Sequence, residues 1–181
     1  MDLRKLTSTE LGRPTVEALA ALRAHPLSVL AVDIRSAHNV GAILRTADAV
    51  RAAHVYLTGF TPPGDHRLVH KSALGAQDTV PWSCHDDPLE AIALARAAGC
   101  LIVALEQTNR ASSLETFTFD DFPICLVLGN EVDGVSERVL AQCDRAIEMD
   151  QFGAKHSLNV SVAFGIAAYD LLRLWKRVSA L

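Results

Sequence analysis

Residues 126–137 read LVLGNEVDGVSE, and this stretch decides the fold class. An apolar run stops at Gly129, polar residues and a second glycine follow, and Ser136 precedes a short helical pattern. An apolar run without alternation is typical of a strand that is buried on both faces, as in a parallel sheet covered by helices. The stretch therefore predicts a strand, a loop and a helix in an α/β domain.

The same alternation continues along the chain. It predicts strands over residues 28–33, 54–58, 101–105, 124–128 and 146–149, and helices over 40–52, 88–98, 136–142 and 158–176. Pro88 suits a first helical turn, and Gly99 suits the position that follows a helix. We therefore expect an α/β fold with a mostly parallel sheet that is flanked by helices.

The composition excludes several classes of protein. Of the 181 residues, 50% are apolar and 21% are charged, which is typical of a globular chain and not of a disordered one. No apolar stretch approaches the roughly 20 residues that span a bilayer, and the sequence begins without a signal-peptide core, so we expect a cytoplasmic protein. The four cysteines are widely spread with no C-x-x-C pair, so their spacing indicates neither a zinc site nor a disulfide framework.

The net charge of −4 disfavours a protein that coats nucleic acid, because such binding needs many phosphate contacts. A nucleic-acid substrate would need a local basic patch. The candidates are Arg45 and Arg51 on a predicted helix, Arg67 and Lys71 in a predicted loop, and Lys155 in a second loop. For any one of these clusters alone, a solvated surface is the simpler interpretation.

A first polar motif, HNVGAILRTADA, occupies residues 38–49 directly after the first predicted strand. Asn39 is expected to cap the helix, and Arg45 follows about one and a half turns later. Taken alone, the motif is also the pattern of a capped amphipathic helix with one exposed arginine.

The second motif is the stretch that defined the fold class. Its Glu131 follows directly on the predicted strand, and ligands of open α/β sheets bind at the carboxyl ends of strands. We therefore expect Glu131 in a ligand site.

The third motif, QFGAKHSLNVSVAFGIA, occupies residues 151–167 and leads into the last predicted helix. Ser157 is a candidate cap. Asn159, placed just inside a buried helix, would be costly unless both ends of its amide form hydrogen bonds. A simple capping network is the alternative interpretation.

The last predicted helix is apolar or small almost all the way round over residues 160–175, whereas a surface helix should have one apolar stripe. We expect its second face to be covered by another subunit in a symmetric homodimer. Small residues there permit a close approach of helices, namely Ala163, Gly165, Ala167 and Ala168.

Three common enzyme classes lack their motifs in this chain. No G-x-G-x-x-G follows a predicted strand, and G-x-x-x-x-G-K-[ST] is absent, which argues against dinucleotide and nucleoside triphosphate sites. The G-x-S-x-G turn of triad hydrolases is also absent.

In this order and at this spacing, the three motifs resemble those of the SpoU or TrmH-like family of RNA 2′-O-ribose methyltransferases, in the SPOUT superfamily. The resemblance runs from about residue 27 to residue 172 and includes KSALGAQ at 71–77 and IVALEQ at 102–107. It implies an α/β fold with a deep C-terminal trefoil knot and a homodimer through the last helix. Residues 27–181 would form this domain, and residues 1–26 a short helical extension.

The resemblance also implies the chemistry. S-adenosylmethionine would donate a methyl group to a ribose 2′-hydroxyl of transfer RNA, or less favourably of ribosomal RNA, without a metal. The implied donor-binding residues are Leu105, Glu106, Gly129, Asn130, Glu131, Ile147, Met149, Ser157, Leu158 and Asn159. A knotted RNA-binding dimer that no longer transfers methyl groups is the alternative.

The implied catalytic residues are Arg45, Asn39, Glu131, Ser157 and Asn159. In similar enzymes the arginine is held to activate the hydroxyl. Because arginine side chains stay protonated, we assign Arg45 to stabilising the developing alkoxide and to binding phosphate. Asn39 and Glu131 would orient Arg45 or the ribose, while Ser157 and Asn159 would hold donor and substrate by hydrogen bonds.

Overall fold

The computed structural model describes residues 3–7, 9–12 and 14–179, which form one six-stranded parallel sheet with helices on both faces. The strands are β1 (His25–Val32), β2 (Ala52–Thr58), β3 (Trp82–His85), β4 (Leu101–Leu105), β5 (Ile124–Leu128) and β6 (Arg145–Ile147). The helices of this described part are α1 (Val16–Ala20), α2 (Ala37–Ala49), α3 (Arg67–Ala73), α4 (Pro88–Ala97), α5 (Glu137–Leu140) and α6 (Val160–Ser179).

The strand order is β3-β2-β1-β5-β4-β6, so β1 and β5 lie in the middle of the sheet. Alternate residues of β1 point to opposite faces. Val29 packs in the cluster formed with α2, α3 and α6, and Leu30 packs in the cluster formed with α4 and α5. Because all strands are parallel, the loops that follow β1, β4, β5 and β6 meet at one carboxyl edge.

Helix α2 begins at Ala37, three residues before the predicted start. Ser36 is its cap, since the Ser36 hydroxyl accepts a hydrogen bond from Asn39 N at 3.3 Å. The prediction of Asn39 as the cap was therefore wrong, and Asn39 lies in the first turn. Gly41 permits a close crossing of α3, because a Cβ atom there would collide with Ser72 and with the backbone of α3.

The predicted strands over 101–105 and 124–128 are confirmed at the same residues. Two elements were not predicted. β3 has four residues at the sheet edge and none of them is buried, so its sequence lacks an apolar run. α3 lies in a stretch that was assigned to a loop, since only Val69 and Ala73 of its seven residues are buried.

Among the described residues of the predicted extension over 1–26, α1 is the one α-helix, and it has five residues. β1 begins at His25, so the sheet starts inside the predicted extension. Across the described chain, no helix combines the length and the apolar character needed to cross a membrane.

Helix α6 buries one face against the sheet and α2, with Phe164, Ala167 and Leu171 at its centre. The opposite face carries Val162 and Ile166, which are 51% and 44% exposed. The predicted second apolar face of α6 is therefore present on the protein surface.

Candidate functional site

A cavity of about 620 Å³ opens among the loops at the carboxyl edge of the sheet. Its volume lies in the range of small-molecule sites. The ends of β4, β5 and β6 and the loop before α6 form its walls. All ten residues predicted to bind the methyl donor line it, namely Leu105, Glu106, Gly129, Asn130, Glu131, Ile147, Met149, Ser157, Leu158 and Asn159.

The loop that follows β5 is fixed by its own backbone and by β4. Asn130 and Gly134 exchange two backbone hydrogen bonds of 3.0 Å. A Cβ atom at Gly129 would collide with the backbone of Gly134 and Val135, so the turn requires glycine. The carboxylate of Glu106 accepts a hydrogen bond from Val135 N at 2.8 Å, which ties the end of β4 to this loop.

Asn130 joins this loop to the end of β1. Its side-chain amide donates to the carbonyl of Asp33 at 2.7 Å, and its side-chain oxygen accepts from Val132 N at 2.8 Å. The Asn130 side chain is thus a structural link between two strand ends, and it lines the cavity at the same time.

The carboxylate of Glu131 binds the start of α2 with both oxygens. One oxygen accepts from Arg35 N at 2.8 Å, and the other accepts from Ser36 N at 3.0 Å and from Asn39 Nδ2 at 2.8 Å. Burial would raise the pKa of Glu131, but the hydrogen bonds from Arg35, Asn39 and Ser36 outweigh it and lower the pKa below its ordinary value. The group is therefore held as a carboxylate.

The third motif joins this network through Asn159. Its amide nitrogen donates to Asn39 Oδ1 at 3.1 Å, and its oxygen accepts from Ser161 N at 2.9 Å and from the Ser161 hydroxyl at 2.6 Å. A chain of hydrogen bonds thus runs from Glu131 through Asn39 to Asn159. The three motifs that the sequence separates meet at one point.

Two predictions about the third motif were wrong in detail. Asn159 is exposed and directly precedes α6, so it is not inside a buried helix. Asn159 caps α6, because its side-chain oxygen accepts a hydrogen bond from Ser161 N. Ser157, the predicted cap, does not cap the helix. Ser157 instead lines the cavity. The expectation that both ends of the Asn159 amide form hydrogen bonds is confirmed.

The sequence analysis missed one contact of the site. Gln107, directly after Glu106, donates from its side-chain amide to the carbonyl of His156 at 2.8 Å. Both residues line the cavity, and the bond joins the loop after β4 to the loop before α6. The segment at 102–107 ends with this glutamine, which was the available signal.

Among the described residues that line the cavity, several are acidic and none is a lysine or an arginine. The acidic residues are Glu106, Glu131, Asp133, Glu137 and Glu148, and apolar side chains such as Leu105, Leu128, Ile147, Met149 and Leu158 lie beside them. An acidic cavity with apolar walls suits a ligand that has a cationic group and an apolar ring. It disfavours a di- or triphosphate, which needs cationic or backbone N–H partners.

Arg45 lies on the exposed side of α2, six residues after Asn39, or about 9 Å further along the helix axis. It does not line the cavity. Within the described part of the chain, its guanidinium forms no hydrogen bond or ion pair. It is therefore available to a ligand that approaches from outside the cavity.

The structure divides the residues predicted to contact RNA. Arg67 and Lys71 are exposed on α3, which crosses α2 near its start, and Lys155 is exposed in the loop before α6. Arg51 is not brought to the site. It follows α2 at the opposite edge of the sheet, where its carbonyl accepts from His25 N at 2.9 Å.

The fold and the cavity define an α/β protein with a small-molecule site at the carboxyl edge of a parallel sheet. The profile of the SpoU rRNA Methylase family matches residues 26–169. The chain therefore belongs to this family, as its motifs predicted.

The relatives include enzymes that are named for different RNAs. The chain is 30% identical over 155 residues to the tRNA (guanosine(18)-2′-O)-methyltransferase of Escherichia coli K12, covering 86% of this chain and 66% of that protein. It is 32% identical over 167 residues to the 23S rRNA (guanosine-2′-O-)-methyltransferase RlmB of Nitrosomonas europaea, covering 91% of this chain and 64% of that protein. The chain thus spans slightly less than two thirds of both relatives.

A solved structure has the same fold. The SpoU methyltransferase AviRb from Streptomyces viridochromogenes, in complex with the cofactor AdoMet, superposes with a TM-score of 0.75 at 26% identity. The match covers 88% of this chain and 63% of that chain.

We predict that Glu131→Gln weakens the attachment of α2. Because the folded pKa is lowered, the carboxylate stabilises the fold above the ordinary glutamate pKa of roughly 4.3, and this contribution is lost as the pH falls through the folded pKa. Urea unfolding should give a free energy of unfolding about 1 kcal/mol lower at pH 7. The difference from the unsubstituted protein should close as the pH falls through the lowered folded pKa of Glu131.

The matched control is Glu115→Gln, at an exposed glutamate in the 3-10 turn Leu114–Thr116, which should leave stability unchanged. Hydrogen exchange should also show faster exchange at the Arg35 and Ser36 amides in Glu131→Gln. Equal stability and equal protection at pH 7 would contradict the role of Glu131.

Proposed function

We propose that this protein is an S-adenosylmethionine-dependent RNA methyltransferase that acts on a ribose 2′-hydroxyl, in transfer RNA in preference to ribosomal RNA. The observation that carries the proposal is the hydrogen-bonded chain from Glu131 through Asn39 to Asn159 at the mouth of an acidic cavity. Membership of the SpoU family and the names of both relatives support the reaction. The Escherichia coli relative supports transfer RNA.

The cavity fits the methyl donor by its chemistry. S-adenosylmethionine supplies a methyl group on a cationic sulfonium, and the flat faces of its adenine pack well against apolar side chains. The carboxylates of the lining suit the cation, while Leu105, Ile147 and Leu158 offer an apolar surface to the ring. The AdoMet complex of AviRb supports this assignment. The residues that would hold the donor are the ten predicted ones.

The residues around the cavity would align and activate the ribose. A ribose hydroxyl is a weak nucleophile at neutral pH, so its oxygen must be placed in line with the methyl group. As the oxygen–methyl bond forms, the methyl–sulfur bond breaks and S-adenosylhomocysteine is released, while the hydroxyl proton passes to an RNA phosphate oxygen or to water. We assign Arg45 to stabilising the developing alkoxide and to binding an RNA phosphate, as an exposed, unpaired guanidinium on α2. Glu131 and Asn39 set the position of α2 and therefore of Arg45, while Ser157 and Asn159 orient donor and substrate.

We also propose that the C-terminal part forms a trefoil knot and that the protein works in the cytoplasm, where its RNA substrates lie. The chain order supports the knot. After β6 at the sheet edge, the chain returns to pack α6 against α2. On the way, residues 156–159 contact Gln107 and Asn39, which belong to earlier loops.

The reaction is tested with labelled S-adenosylmethionine and total RNA from a strain that lacks the gene, followed by nucleoside analysis. We expect a 2′-O-methylated nucleoside in the transfer RNA fraction. Label on a base alone would contradict the proposed 2′-O-methylation. Label in ribosomal RNA alone would contradict the preference for transfer RNA. RNA binding without any transfer, together with no heat of S-adenosylmethionine binding in calorimetry, would favour the noncatalytic dimer.

We predict that Arg45→Ala abolishes methyl transfer and leaves donor binding intact. In other enzymes, removing one hydrogen-bonding group that stabilises a developing oxyanion lowers kcat by roughly 100- to 1000-fold. We expect a similar loss of kcat here. Calorimetry with S-adenosylhomocysteine should show an unchanged Kd, because Arg45 does not line the cavity. The control is Arg23→Ala, at an exposed arginine before β1. Near-normal turnover of Arg45→Ala would refute its role.

We propose a homodimer through α6 and predict that Ile166→Glu dissociates it. Ile166 lies with Val162 and Tyr169 on the exposed stripe of the helix, and a Cβ atom at Gly165 would meet no other atom of the subunit. Sedimentation velocity should show a dimer for the unsubstituted protein and a monomer for the variant. Leu94→Glu, on α4, is the control. A monomeric unsubstituted protein would contradict the proposal.

A further inference from the structure

The loop after β2 holds an aromatic ring in solvent at the same edge of the sheet. The Phe60 side chain is 60% exposed, although its backbone is fixed. Phe60 N donates to the Asp33 carboxylate at 3.2 Å, and the preceding Gly59 N donates to the His85 carbonyl at 3.1 Å. Isolated exposed aromatics are common on protein surfaces, so the surroundings of this ring must carry the argument.

The two residues next to Phe60, Gly59 and Thr61, are both fixed by contacts with the end of β1 and the residues that follow it. Gly59 has a φ of +63°, and the space of its missing Cβ atom is filled by the Asp33 carboxylate. The buried hydroxyl of Thr61 accepts from Ile34 N at 3.0 Å and donates to the Ala31 carbonyl at 3.3 Å. The ring is therefore presented with little backbone freedom left to lose on binding, which favours affinity.

Phe152, the other strongly exposed phenylalanine, lacks such a support. Its side chain is 96% exposed, and its own backbone forms no hydrogen bond within the described chain. Exposure alone thus does not distinguish Phe60. Its fixed backbone does.

The Phe60 loop is connected to the candidate active site through Asp33. The Asp33 carboxylate binds Phe60 N, and the Asp33 carbonyl accepts from the Asn130 amide at 2.7 Å. β1 alone separates β2 from β5 in the sheet, so the ends of β2 and β5 are two strand spacings apart, or about 10 Å. Phe60 therefore lies beside the cavity, on the other side of β1.

The segment that follows Phe60 supplies arginine and lysine side chains, which the cavity lining lacks. α3 follows this loop and exposes Arg67, His70 and Lys71. Arg67 and Lys71 form no ion pair within the described residues. Asp65 is an exposed acidic residue of the loop itself. An exposed aromatic ring and unpaired basic side chains on one short segment are the components by which proteins bind single-stranded nucleic acid, with bases stacked on the ring and phosphates near the cations.

We propose that Phe60 is a stacking platform for an unpaired RNA base next to the methylated nucleotide, with Arg67 and Lys71 contacting the adjoining phosphates. This assignment rests on the proposed RNA methyltransferase function. It gives the enzyme a recognition site on the β2 side of β1, separate from the donor cavity. The target nucleotide would then need a neighbour that can leave its stack, as in a loop of structured RNA.

The test compares Phe60→Leu with Phe60→Tyr in the full-length protein. Leucine keeps an apolar side chain but removes the ring face, whereas tyrosine keeps the ring. The probe is unfractionated transfer RNA from a strain that lacks the gene. We expect Phe60→Leu to raise the Kd and the KM for this RNA roughly 5- to 100-fold, and Phe60→Tyr to stay near the unsubstituted protein.

The controls separate a recognition role from a structural one. Phe152→Leu makes the same change at the unsupported ring and should leave RNA binding near normal. Binding of S-adenosylhomocysteine and the sedimentation coefficient should stay unchanged in Phe60→Leu. A changed oligomeric state in Phe60→Leu, or an equal loss in Phe152→Leu, would overturn the assignment.

The outcomes also distinguish this proposal from the proposed function. If the unsubstituted protein methylates RNA and Phe60→Leu does so with the same KM, the stacking platform is refuted and the enzyme function stands. If the unsubstituted protein neither binds the transfer RNA nor methylates any RNA, both proposals fall.

Discussion

The carboxylate of Glu131 is the interaction on which the arrangement of the site depends. It lies at the first turn of α2, where backbone N–H groups have no partner inside the helix and the helix dipole favours negative charge. Hydrogen bonds to an ionised group are stronger than neutral ones. One side chain from the loop after β5 thus fixes a helix that is more than 90 residues earlier in the sequence.

This constraint links the donor cavity to the residue assigned to the chemistry. Glu131 lines the cavity with one part of its surface and holds α2 with its carboxylate. Arg45 is rigidly connected to the first turn of that helix, so its position depends on the loop after β5. A ligand that moves this loop would therefore move Arg45 as well.

The sequence predicted the buried strands well because their apolar runs end sharply, as at 101–105 and 124–128. It predicted β3 and α3 poorly, since each is short and contributes few buried residues, so neither has a clear period. The hydrogen bonds at both ends of the Asn159 amide were expected from a burial that the structure does not show, because Asn159 is exposed and precedes α6. Its partner Asn39, 120 residues away, was not predictable, because no local pattern encodes a contact made by the topology.

The position of a basic residue along α2 determines how close it lies to the cavity, so Arg45 and Arg51 are not equivalent although both are positively charged. α2 connects parallel strands, so it runs from the carboxyl edge of the sheet back to the amino edge. Asn39 touches Glu131 at the first edge, whereas Arg51 already follows the helix at the second. Arg45 lies between them, about 9 Å along the axis from Asn39, where a long side chain can still extend towards the site. The two arginines of one motif region therefore have different environments, and of the two only Arg45 lies on α2 itself, nearer the carboxyl edge than Arg51.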